Sequence, residues 1–179
     1  YDQAPLEMWV QAVEEQAVPL ARMLLSESPP DPVGIADLVN YSDAAKLESL
    51  DLFRVGNVTL YLRATSALEM LVFDSQGLLL GRTGQPPFPS SGQPFDAQAV
   101  PRLEAPLRAA LAGEYEASSL VSAGGPGEGW VVAVPVFGSG QQEGQILGAV
   151  AYVLESMPTE NEIWSQALGF AARSLVLFL

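Results

Sequence analysis

The sequence predicts an α+β domain in which an antiparallel sheet of about five strands is flanked by helices. Three features carry that prediction. Leu71-Val72-Phe73 and Leu78-Leu79-Leu80-Gly81 bracket the polar turn Asp74-Ser75-Gln76-Gly77, with Asp74 suited to the first position of a type I turn and Gly77 to the last. A second pair of apolar runs, residues 130–137 and 145–154, is joined by a glycine-rich loop. At the other end of the chain, apolar residues recur at helical spacing.

Pro5 opens that first segment, and Leu6, Trp9, Val13, Ala17, Leu20 and Leu24 make an amphipathic helix to about Ser26. Pro19 removes one backbone donor inside it, which predicts a kink or register change near residues 15–19. Ser28-Pro29-Pro30-Asp31-Pro32 breaks the chain; Asp31 then caps a short helix through Leu38, and Ser42 or Asp43 caps another to about Leu52. Residues 57–67 alternate Val58, Leu60 and Leu62 with polar or aromatic partners, a strand pattern, although a helix leading into the hairpin competes with it. Residues 69–73 and 78–82 form the hairpin arms, apolar enough to be buried on two faces or covered by a helix. Four prolines, two glycines and two serines in residues 84–95 exclude regular structure there and predict a surface loop.

Pro106 in a first turn and Gly113 as a stop predict a helix over residues 106–112. A short strand over 118–122 and a glycine-rich turn over 124–129 lead into the strand 130–137. Pro135 cannot donate to a ladder, so that strand is expected to be an edge or to bulge there. Residues 138–144 close a hairpin to the last strand, which ends near Glu155. The chain thus divides into a helical segment (1–56), a sheet core (57–156) and a C-terminal helix (157–179).

With 179 residues, of which 49% are hydrophobic, the chain can bury one domain's core. Its 21 acidic and 8 basic residues give a net charge of −13, which repels phosphate backbones and anionic lipid surfaces and excludes nucleic acid as a partner. Without cysteine there is neither a disulfide nor a thiolate metal site; without histidine the commonest general base and metal ligand are missing. Neither glycine cluster carries the lysine and hydroxyl of a Walker loop or opens a helix as a dinucleotide fingerprint must, so no cofactor is expected. Ser42 lies four residues before Lys46, the sole lysine, rather than the three of a Ser-x-x-Lys nucleophile. The start at Tyr1, with no basic or signal-like run, reads as an excised fragment or processed product. Residues 163–179 are largely apolar but shorter than the ~20 a membrane span wants. They read either as a helix packed on its own domain or as the start of a transmembrane span.

The hairpin, a spacer with a short helix ending Ala109-Ala110-Leu111-Ala112-Gly113-Glu114, and two long strands with a proline in the first follow an order that resembles the extracytoplasmic Cache sensor domains of bacterial membrane receptors such as sensor histidine kinases. The resemblance covers roughly residues 71–154 and the helix before them, and rests on order and spacing. It implies a PAS-like sheet with a long N-terminal helix, a loop like 84–95 that helps cover a ligand pocket, and no catalysis in this segment. It further implies an N-terminal helix that leaves a first membrane span and pairs with its twin in a homodimer, with the last strand running toward a second span. The chain departs from the family's ligand motifs: the tyrosine, arginine and tryptophan cluster for amino acids is not visible, and a histidine-containing citrate-type pocket is ruled out.

Arginines are scarce, and Arg63, Arg82, Arg102 and Arg108 lie around the hairpin and the helix, where such a pocket would be built. A guanidinium grips a carboxylate with two parallel bonds; pairing with the surplus acids is its competing role. Tyr115, Trp130 and Tyr152 offer pocket walls with polar tips, against core packing for Trp130. Glu114 and Glu116, with Asp96 or Glu128, offer oxygens to a hard cation but lack an Asp-x-Asp-x-Asp-Gly loop and equally suit a solvated rim. Leu6, Trp9, Val13, Ala17 and Leu20 form either a dimer seam or a face packed on the sheet. The expected function is signal sensing, with an unknown small molecule or cation as the ligand. The alternatives are an acidic domain that senses divalent cations or proteins without a pocket, and a secreted hydrolase using a carboxylate pair.

Overall fold

One apolar stripe makes two helices, Gln3–Gln16 (α1) and Val18–Leu25 (α2), because Pro19 has no N–H to offer the Glu15 carbonyl. The helix is interrupted at Ala17, yet Ala17 N still donates to Val13 O and Ala21 N to Ala17 O, so backbone bonding continues across the break. The computed structural model describes residues 3–42, 44, 50–55, 58–62, 68–124 and 129–154. The expectations for residues 63–67, 125–128 and 157–179 lie outside that set.

Asp31 caps the helix Pro32–Tyr41 (α3): its Oδ1 accepts from Val33 N at 3.1 Å, and Pro32 begins the first turn. The helix extends three residues past Leu38. The Ser42 hydroxyl donates back to Leu38 O at 2.6 Å, at the end of α3, and residues 43 and 45–49 of the helix expected next lie outside the described residues. Leu50–Val55 (β1) is a strand where a helix to Leu52 was expected, paired antiparallel with Val58–Leu62 (β2) as a two-stranded sheet. Six residues, Leu-Asp-Leu-Phe-Arg-Val, are too few to separate the two periodicities, and pairing with a neighbouring strand decided it.

The main sheet contains Leu68–Asp74 (β3), Leu79–Arg82 (β4), Val121–Ala123 (β5), Trp130–Phe137 (β6) and Ile146–Leu154 (β7), all antiparallel in the order β4-β3-β7-β6-β5. At the hairpin turn, Asp74 Oδ1 accepts from Gln76 N and Leu78 N at 2.8 and 2.9 Å, and Gly77 takes φ 83°. The last strand lies at the centre, with register Leu68↔Leu154 on one side and Trp130↔Leu154 on the other. Pro135 is tolerated because β5 pairs only as far as Val132, so β6 is locally an edge there, and its ladder shifts one residue later at Val136/Phe137.

The helices α1 to α3 cover one face of the sheet. Trp9 lies on Trp130 with ring centroids 5.7 Å apart, and Gly81 admits Ile35 and Val39. The other face alternates Leu71 and Phe73 with Ala133, Ala149 and Ala151, small enough for Glu104–Leu111 (α4) to pack across β6 and β7. Phe95 from the proline-rich connection rests on Phe73 at 5.3 Å. The helix α4 begins two residues before the expected Pro106 and stops at Gly113, φ 80°. Residues 118–122 are not one strand: Ala117–Leu120 is a helical turn (α5), closed by Ser119 N and Leu120 N on Glu116 O, and only the residues after it pair with β6.

The core residues refute part of the dimer-seam expectation. Trp9, Val13 and Ala17 are fully buried against this chain's own sheet, so they have no surface left for a second copy. Leu6 packs half-buried on the same core, whereas Leu20 faces solvent.

Candidate functional site

Between the 97–102 connection, the start of α4 and strand β5 lies a basin of about 440 Å³, lined among others by Gln98, Arg102, Glu104, Arg108 and Ser122. Its first wall is local chemistry. Asp96 Oδ1 accepts from Gln98 N at 3.0 Å and caps the short turn Ala97–Ala99. Leu103 N then donates to Val100 O at 3.2 Å, closing a turn with Pro101 and Arg102 at its corners. Arg102 takes φ 69°, the only positive φ of a non-glycine residue among the described residues, at the corner that glycine ordinarily occupies. A long β-carbon-bearing side chain held there costs on the order of 1 kcal/mol.

Arg108 forms the second wall from α4. Its Nη2 donates to Glu104 Oε1 at 2.8 Å, one turn earlier. Leu103 gives the helix no side-chain cap and Pro106 no N–H, so the positive end of α4 opens on the same basin, opposed by Glu104. Arg102 Nη1 reaches Gly129 O at 3.5 Å, tying the basin to the entrance of β6.

The remaining sequence candidates are dispersed. Arg82 Nε pairs with Glu69 and its guanidinium lies 5.9 Å from the centre of the Phe95 ring, on the hairpin. Tyr152 is wholly buried; its hydroxyl donates to Ala44 O, and burial pushes the phenol pKa far up, so it is a core residue rather than a ligand group. Trp130 packs on Trp9. Tyr115 stacks on Phe137 at 5.3 Å and borders a different cleft. Arg63, Lys46 and Glu128 lie outside the described residues.

No family model, curated protein or solved structure matches this chain. The site therefore stands on its own geometry.

Tyr115's cleft, about 640 Å³ between α1 and α5, is lined by Glu7, Gln11, Glu14, Glu15 and Glu116. Loss of solvent first, and the neighbouring Glu15 second, hold the Glu14 carboxyl above its usual range. Sequence reasoning missed this cleft, although Glu7, Gln11 and Glu14 recur at helical spacing. It also missed Gln98 and Ser122, which no local pattern marks. Among the described residues no group of three or more carboxylates able to hold a metal ion occurs, and Glu128 of the donors expected from sequence lies outside them. No helix among the described residues is long and apolar enough to cross a membrane.

Proposed function

We propose that this chain is a non-catalytic, extracytoplasmic sensing domain of a transmembrane receptor of the sensor histidine kinase type, and that it binds a small carboxylate in the basin of Arg102 and Arg108. The observation that carries the ligand reading is the backbone of Arg102: an arginine kept at a glycine corner, beside a second arginine, in a chain with a surplus of acids. Supporting the class of domain, the main sheet counted from β3 runs 2-1-5-4-3, with helices on both faces, an arrangement compatible with a PAS-like fold.

Transmission follows the ladder. Ser122 in the basin pairs with Val131, the next pair is Ala123↔Trp130, and Trp130 carries Trp9 of α1. A ligand that favours one seating of β5 on β6 thereby biases the position of α1, to the extent that its affinities for the two seatings differ. Pairing of two domains in the receptor belongs to the same proposal and uses surfaces other than Trp9, Val13 and Ala17.

The test is a thermal-shift and calorimetry panel of mono-, di- and tricarboxylates on the whole chain. A ligand at a hundredfold its Kd stabilises by about 2.7 kcal/mol. Arg102→Ala and Arg108→Ala should each abolish the shift, and Glu104→Gln should tighten binding by releasing Arg108. A silent panel, or a shift that survives both arginine variants, overturns the ligand assignment.

A further inference from the structure

Among the described residues five large apolar side chains are exposed, and four of them, Leu20, Met23, Val33 and Tyr41, belong to the helix pair α2–α3. Three of the four, Leu20, Met23 and Tyr41, border one groove. Leu20, Met23 and Leu24 on α2 face Gly34, Leu38 and Tyr41 on α3 across a groove of about 580 Å³, with spacings of three, four and seven residues. The opposite faces of the same helices, Val18, Ala21 and Leu25 with Ile35 and Val39, are already spent on the core. A helix apolar on two faces is built to be covered on both.

Charge identifies the cover. The only charged residues in the two helices are Arg22 and Asp37. Arg22 Nε is occupied by Phe137 O at 2.7 Å, whereas Asp37 lines the groove, and Asp31 Oδ2 lies 3.3 Å from where a β-carbon on Gly34 would stand, at the groove's floor. The groove is therefore apolar with an acidic border, in a chain of net charge −13. A second copy seated groove to groove would present the same acidic border and no cation to match it, and an anionic lipid surface is repelled likewise.

We propose that the α2–α3 groove docks a cationic amphipathic helix of a partner protein, with apolar anchors three or four residues apart and lysine or arginine on the flanks. The inference is independent of the carboxylate basin.

The experiment is fluorescence anisotropy of the whole chain with a labelled helix-forming Leu/Lys peptide of about 14 residues, close to four turns. A Ser/Lys peptide of equal charge and a Leu/Glu peptide serve as comparisons. The Leu/Lys peptide should bind at least about tenfold tighter than Ser/Lys, with no binding by Leu/Glu. The double variant Met23→Ser, Tyr41→Ser changes two exposed side chains; it should keep the native circular dichroism and lose about tenfold in affinity. Asp37→Lys should weaken binding and flatten its salt dependence. Absence of binding, equal binding of Ser/Lys, or indifference to the double variant overturns the proposal. A dimer in sedimentation that the double variant dissolves overturns it in favour of a second copy.

Discussion

At the residue scale, two glycines of the sheet distinguish backbone from side-chain neighbours. A β-carbon on Gly148 would lie 2.0 Å from the Phe73 carbonyl oxygen, which the ladder holds in place. One on Gly81 would meet the Ile35 Cγ2 methyl at 2.5 Å, a side-chain atom that can give way only by a small shift of α3 from the sheet. Gly148→Ala should therefore cost about 3 kcal/mol or more and Gly81→Ala about 1–2, measured by urea unfolding; equal costs would refute the distinction. Glu14 supplies a pH signature. Its native pKa lies above the ordinary 4.5, so the native state holds its proton longer than the unfolded chain, and stability falls as pH rises from 4.5 through the raised value. Glu14→Gln should then melt slightly higher than the parent at neutral pH, with the difference closing near pH 4. A difference that persists in acid would mean the cause is not the carboxylate's charge.

At the element scale, caps and hairpin pairings were legible, whereas the β1–β2 pair and the long-range pairing of β3 with β7 were not. Asp31, followed by proline, announces α3, and the observed bond to Val33 N is the one that chemistry requires. Asp31→Ala should lower stability by about 1 kcal/mol, whereas Asp31→Ser should restore most of it; no loss in the alanine variant would discount the cap. The Asp74 turn was equally legible, because both its bonds are made within four residues. Leu50–Val55 was not, since its six residues are too few to separate the two periods and a partner strand decided. The hydroxyl of Tyr152 ties β7 to Ala44, beyond the end of α3, across more than a hundred residues. Tyr152→Phe keeps the ring and removes that bond, so it should cost about 1–3 kcal/mol, with hydrogen exchange rising first near residue 44. A neutral substitution would mean the hydroxyl contributes nothing net.

At the scale of the whole molecule, a net charge of −13 on 179 residues makes self-repulsion a global term. Raising ionic strength from low values to about 0.15 M, where the screening length is ~8 Å, should raise Tm. A fall in Tm would show that attractive pairs such as Arg82 with Glu69 outweigh the repulsion. By itself the sequence determined the α+β class, through apolar periodicity, and the helix break before Pro19, the hairpin at Asp74 and the stop at Gly113, because each of these three is set by bonds or backbone limits within a few residues. It also determined the absence of histidine and cysteine chemistry, which is composition. Only the tertiary structure decided that the last strand is central, that Trp9, Val13 and Ala17 face inward, and that Arg102 and Arg108 share a basin from which Arg82, Tyr115 and Tyr152 are excluded. A helix's apolar stripe specifies that something must cover it, and only the packing of the whole chain specifies whether the cover is its own sheet, as for α1, or a surface still open, as between α2 and α3.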